Sequence, residues 1–116
     1  MIDWARVDEL RAEIGEDGFG EVVLLFMEEV ESVLARMASA QPGHRPGDDL
    51  HFLKGCAWNL GFRQFGAMCQ DRERRLAAGD TAAFQPAEIA ECYIDSKANF
   101  LAALNPGAQA GAGKVA

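Results

Sequence analysis

A chain of 116 residues, 49% of them hydrophobic and 25% charged, has room for one globular domain around a single core, which argues against two packed domains. Eighteen Asp and Glu against eleven Lys and Arg give a net charge of -7, which argues against neutralising a nucleic-acid backbone or an anionic membrane and favours a basic protein partner. Cys56, Cys69 and Cys92 are odd in number and lack close C-x-x-C pairs, so neither a disulfide framework nor a zinc site is expected, and a reducing compartment fits.

Asp3, Arg6, Asp8, Glu9, Arg11 and Glu13 stand where a signal peptide would be apolar, and no apolar run approaches the length of about 18 residues that a membrane span needs. A cytoplasmic protein is therefore expected. No segment alternates with period two, whereas helical spacing recurs wherever Gly and Pro are absent, which predicts an all-α fold.

Trp4, Val7, Leu10 and Ile14 predict a short first helix, ended by Gly15 and a Glu16-Asp17-Gly18 turn. Gly18 and Gly20 follow no strand and read as part of that turn rather than as a phosphate loop. Phe19, Val23, Phe26, Val30, Val33 and Met37 form the apolar stripe of a long second helix, with Glu28, Glu29 and Glu31 on a solvated side. Residues 41–47 hold two Pro and two Gly and predict a loop, with Asp48 or Asp49 capping the third helix.

Leu50, Leu53, Ala57 and Leu60 make the core face of that third helix, and Gly61 suits the left-handed position that ends it. Phe65, Met68, Cys69 and Leu76 give a fourth stripe, in which Arg72 is out of place. After Gly79-Asp80, Pro86 opens a fifth helix with Ile89, Cys92, Tyr93, Phe100 and Leu104 inward, stopped by Asn105-Pro106-Gly107. The Ala/Gly-rich residues 105–116 are expected to be a disordered tail, and residues 1–104 one domain. The cheapest burial of these stripes is an antiparallel up-and-down four-helix bundle with a short additional N-terminal helix.

On the wheel of the third helix, Lys54, Gly55 and Trp58 fall within about 60° of His51. The core residues centre about 220° away, so His51 should point to water. A glycine inside a helix costs about 1 kcal/mol relative to Ala, and no packing helix is expected on this side to explain it. A bare patch beside an exposed histidine suits close approach of another protein.

The stretch from His51 to Cys69 resembles the histidine-containing phosphotransfer (HPt) domains of bacterial and eukaryotic phosphorelays. That family carries His-x-Leu-Lys-Gly, four variable residues, Leu-Gly, three variable residues, an apolar residue, and a Cys four positions on. His51, Leu53, Lys54, Gly55, Leu60, Gly61, Phe65 and Cys69 stand in that register. The order of elements from Asp3 to Leu104 is similar too. Trp58 departs from the family, which usually has a small residue there, and Arg72 stands where an apolar residue is common.

The resemblance implies that His51 accepts a phosphoryl group from the aspartate of one response-regulator receiver domain and passes it to another, within a relay fed by a sensor or hybrid histidine kinase. Lys54 would stabilise the phosphoryl oxygens and Gly55 would provide clearance. It implies no cofactor of the chain's own, Mg2+ being supplied by the receiver, and no autonomous kinase or ATP-binding activity; a monomer is expected. An exposed imidazole is largely neutral near neutral pH and needs no base. Trp58 is expected to anchor the partner, His44 in its Pro/Gly loop to be inert, and the cysteines to fill the core. The alternative is a phosphorylation-incompetent helical module that sequesters or inhibits a signalling partner by the same face.

Overall fold

Five helices make up the computed structural model, which describes residues 2–39 and 45–104: α1 (Trp4–Ile14), α2 (Glu16–Ser39), α3 (Pro46–Leu60), α4 (Arg63–Ala77) and α5 (Pro86–Leu104). A single 3-10 turn, Thr81–Ala83, joins α4 to α5, and no strand occurs among the described residues. Residues 105–116, His44 and most of the 41–47 loop lie outside this description. Among the described residues no helix is long and apolar enough to cross a membrane.

Each helix begins and ends for a local reason, and two boundaries differ from expectation. Gly15 ends α1 at a φ of 92°, and α2 starts at once with Glu16 in place of a Glu-Asp-Gly turn. Glu16 and Asp17 then sit in the first turn, where the positive end of the helix dipole favours carboxylates. Pro46 and Gly47 belong to α3 and not to a loop. Proline has its φ preset and lacks only an N–H that the first turn leaves unpaired anyway. Arg45 therefore holds the cap position, and neither Asp48 nor Asp49 does. Asp49 is buried instead and accepts a hydrogen bond from Arg36 of α2 at 3.3 Å.

The turn between α3 and α4 sets their relative register. Gly61 adopts a φ of 77°, its N–H reaches back to Trp58, and the Phe62 N–H reaches Ala57 at 2.8 Å. A side chain at Gly61 would also strike the Asp3 carbonyl, 2.7 Å from an ideal Cβ, because the Asp3 N–H donates to Gly61. Gly61 is thus required twice, by its left-handed backbone and by the segment laid against it.

Packing closes a ring in which α2 touches α3, α3 touches α4, α4 touches α5 and α5 touches α2, with α1 laid on α2 and α3. The core inside holds Leu50, Leu53 and Leu60 of α3, Phe65 of α4, and Ile89, Tyr93 and Phe100 of α5. Phe62 joins it, 5.2 Å from the Phe100 ring. On α2 the stripe is wider than predicted: Met27 is fully in the core and Phe26 sits at its edge. The three cysteines are buried, and burial pushes the thiols up, Cys56 to about 11 and Cys69 to about 12, which suits core filling. Arg72, the misfit of the fourth stripe, lies mostly covered and donates to the Ala83 carbonyl at 3.4 Å, tying α4 to the 3-10 turn.

Candidate functional site

The fold-back at Gly61 and Phe62 lays α4 alongside α3, so residues equally distant from Phe62 on either side meet. His51 therefore faces Glu73, and Trp58 faces Gly66. The His51 side chain is 71% exposed, on the helix face that the wheel indicates. Its Nδ1 lies 3.0 Å from Oε2 of Glu73, whose other oxygen accepts from the Lys54 ammonium at 2.8 Å. One carboxylate thus ties together the two residues that the sequence put one turn apart.

Electrostatics fixes the protons of this trio. The Lys54 hydrogen bond, helped by the one from His51 and opposed by partial burial, holds the Glu73 carboxyl below the usual carboxylate range. An ionised carboxylate can only accept, so Nδ1 of His51 carries the hydrogen and donates it. In a neutral imidazole that leaves the lone pair on Nε2, the nitrogen not engaged by Glu73. Which ring nitrogen keeps the lone pair is thus set by a contact from a different helix.

Gly55 stands one turn further along, and nothing lies within 4 Å of where its Cβ would be. Its lack of a side chain therefore relieves no clash inside the protein. Beside His51 a groove of about 920 Å³ runs between Pro46, Gly47 and Asp48 of α3 and Glu73, Leu76 and Ala77 of α4. Arg45 stands at its edge.

Trp58 shares the face of His51 yet is not free of the fold. Its ring covers Gly66 of α4 so closely that an ideal Cβ there would come within 2.9 Å of the indole. The side chain still leaves 41% of the residue exposed. It is part interhelical spacer and part surface.

Glu73 is the member of the site that sequence reasoning missed. A carboxylate on a helix surface carries no signal by itself, but it stands as far after Phe62, the residue next to the predicted turn glycine Gly61, as His51 stands before it, and that symmetry could have found it. Among the described residues no group of three or more His, Cys, Asp or Glu side chains is placed to hold a metal ion. Comparison of the chain with protein-family models, with curated proteins and with solved structures finds no match.

Proposed function

We propose that the chain is a phosphorelay intermediate of the HPt type, an antiparallel four-helix bundle of α2 to α5 with α1 as an added N-terminal helix, which carries a phosphoryl group on His51. The observation that carries this reading is the exposed imidazole held through Nδ1 by Glu73 beside Lys54, with open space over Gly55. A core histidine would be enclosed, and a metal ligand would converge with other donors. This one is largely exposed, and Nε2 is the nitrogen that Glu73 does not engage.

In the proposed reaction the Nε2 lone pair attacks phosphorus in the aspartyl phosphate of a receiver domain. The N–P bond forms as the P–O bond to the aspartate breaks, and the electron pair leaves with the receiver's carboxylate. The imidazole ring gains positive charge, which Glu73 offsets through the Nδ1–H that it already accepts. Lys54 lies within one helical turn and can turn its ammonium from Glu73 to the phosphoryl oxygens. The same steps in reverse load a second receiver, and the Mg2+ of the transfer belongs to the receiver's acidic pocket.

The test is labelling by phosphorylated receiver domains of the same organism, compared among the unaltered chain, His51→Gln, His44→Gln and Gly55→Gln. The expected result is transfer to the unaltered chain and to His44→Gln, none to His51→Gln, and strongly reduced transfer to Gly55→Gln with the fold intact. Receiver binding without any labelling would replace this reading with a sequestering module.

A further inference from the structure

Away from His51, the seam where α2 meets α5 has a different chemistry. Two open apolar hollows follow one another along it. The first, of about 470 Å³, is lined by Leu24 and Met27 of α2 with Leu101 and Leu104 of α5. The second, of about 410 Å³, lies between Leu34 of α2 and Ile94 of α5. On the wall of the second, Glu31 accepts from both Tyr93, at 2.8 Å, and Lys97, at 2.6 Å, and so bridges the helices. Leu24 is 58% and Ile94 61% exposed, high values for large aliphatic side chains beside a core.

The charge around this seam is one-sided. Together α2 and α5 carry nine carboxylates and two cations, the same excess of seven negative charges as the whole chain. Both cations are engaged within the protein, Arg36 with Asp49 and Lys97 with Glu31, and Arg11 of α1, which also lines the first hollow, is paired with Asp8 and Glu16. Glu21 and Glu28 lie within about 60° of Leu24 on α2, and Glu91 lies equally near Ile94 on α5, so carboxylates edge the apolar strip on both helices.

We propose that this seam docks a basic amphipathic helix of a partner protein, on a side of the molecule that shares no helix with the His51–Glu73 pair. A third helix laid along two others fills such a groove naturally, and Leu24 and Leu34 are spaced by about 15 Å of helix, matching apolar anchors at i and i+10 or i+11. Lysines or arginines flanking those anchors would face the Glu21, Glu28 and Glu91 carboxylates. Charge decides the occupant: a second copy would set two acidic faces together, and an anionic membrane or nucleic acid would be repelled. Because the phosphotransfer site is built on α3 and α4, docking here does not depend on the phosphorelay reading and leaves His51 accessible.

The probe is a synthetic Leu/Lys amphipathic peptide of about five helical turns, with a Leu/Glu counterpart of the same pattern, followed by fluorescence anisotropy on the full chain. The Lys peptide should bind and the Glu peptide should not. Leu24→Ser and Ile94→Ser should each weaken binding by about tenfold, as loss of a central anchor does. Leu25→Ser is the control: Leu25 is 57% exposed but sits about 100° round the helix from Leu24, and its loss should change affinity by less than about twofold. Circular dichroism on each variant confirms that it is folded. Equal binding of the Glu peptide, binding of neither, or a Leu25→Ser effect as large as that of Leu24→Ser would overturn the proposal. So would a concentration-dependent dimer abolished by Leu24→Ser, which would assign the seam to a second copy.

Discussion

The two helix pairs α3–α4 and α2–α5 have solved the same packing problem in opposite ways. Between α3 and α4 the contact is the most extensive in the protein, made possible by Gly66 under the Trp58 ring, and it brings Glu73 to both His51 and Lys54. Between α2 and α5 the helices meet more sparingly, are clasped by Glu31, Tyr93 and Lys97, and leave Leu24 and Ile94 uncovered. Close approach positions polar groups at hydrogen-bond distance, whereas looser approach leaves apolar hollows. The first arrangement suits chemistry on a small group and the second suits docking of another chain.

The largest expected effect falls on the polar pair. Lys54→Ala should slow phosphoryl transfer to His51 by about 100-fold, the usual cost of removing a donor aimed at developing phosphoryl charge. Its stability should change by only about 1 kcal/mol, because a partly buried ion pair that water still reaches contributes modestly to folding. Transfer kinetics and a urea midpoint on the same preparation check both halves.

A pair of glycine substitutions sharpens the packing contrast. Gly66→Val must displace the Trp58 ring and should destabilise the protein by about 2 kcal/mol, as overpacking does, with tryptophan fluorescence shifted to the red. Gly20 of α2, at the first hollow, has nothing within 4 Å of an added Cβ. Gly20→Ala should therefore raise stability by up to about 1 kcal/mol through helix propensity alone. The same sign for both would mean that the two seams do not differ in closeness.

Glu73→Gln keeps the shape of the site but removes its charge, so transfer should fall by about tenfold, in the range seen when a partner that orients a histidine is lost. The Lys54→Ala effect should remain larger. A Glu73→Gln variant that transfers at full rate would mean that the orientation of the imidazole is set by something other than the carboxylate.

The smallest effect concerns the clasp. Tyr93→Phe removes the hydroxyl that donates to Glu31 and should cost about 1 kcal/mol near neutral pH. The Lys97 hydrogen bond first, and the Tyr93 one second, hold the Glu31 carboxyl below the ordinary glutamate value of 4.5. A group with a depressed folded-state pKa stabilises the fold above its unfolded value and loses that contribution as pH falls through its folded value. The difference between the unaltered chain and Tyr93→Phe should accordingly narrow on acidification below about pH 4.5. Urea midpoints at neutral and acid pH measure it.

What could be read from the sequence was whatever depends on one helix at a time. The apolar stripes, the left-handed Gly61, and the shared face of His51, Lys54 and Gly55 follow from a period of 3.6 and from backbone sterics. What escaped depends on a neighbour. Glu73 reaches His51 only because the Gly61–Phe62 turn sets the register of α4, and Trp58 has a seat only because Gly66 arrives beneath it. Glu31, read as solvated, is joined by residues more than sixty positions away. The helix starts at Glu16 and Pro46 were misplaced because Gly and Pro were weighed as breakers, while Pro in a first turn is a helix starter.

The central claim is that Glu73 holds Nδ1 of His51 and so presents Nε2 to a phosphoryl group. Nitrogen-resolved NMR of the chain after phosphorylation by a receiver domain tests it most directly, since it reports which ring nitrogen bears the phosphorus. The account predicts one acid-labile, alkali-stable phosphate, on Nε2 of His51, with Nδ1 still protonated. Phosphate on Nδ1, on His44, or on no histidine with any receiver of the organism would contradict it.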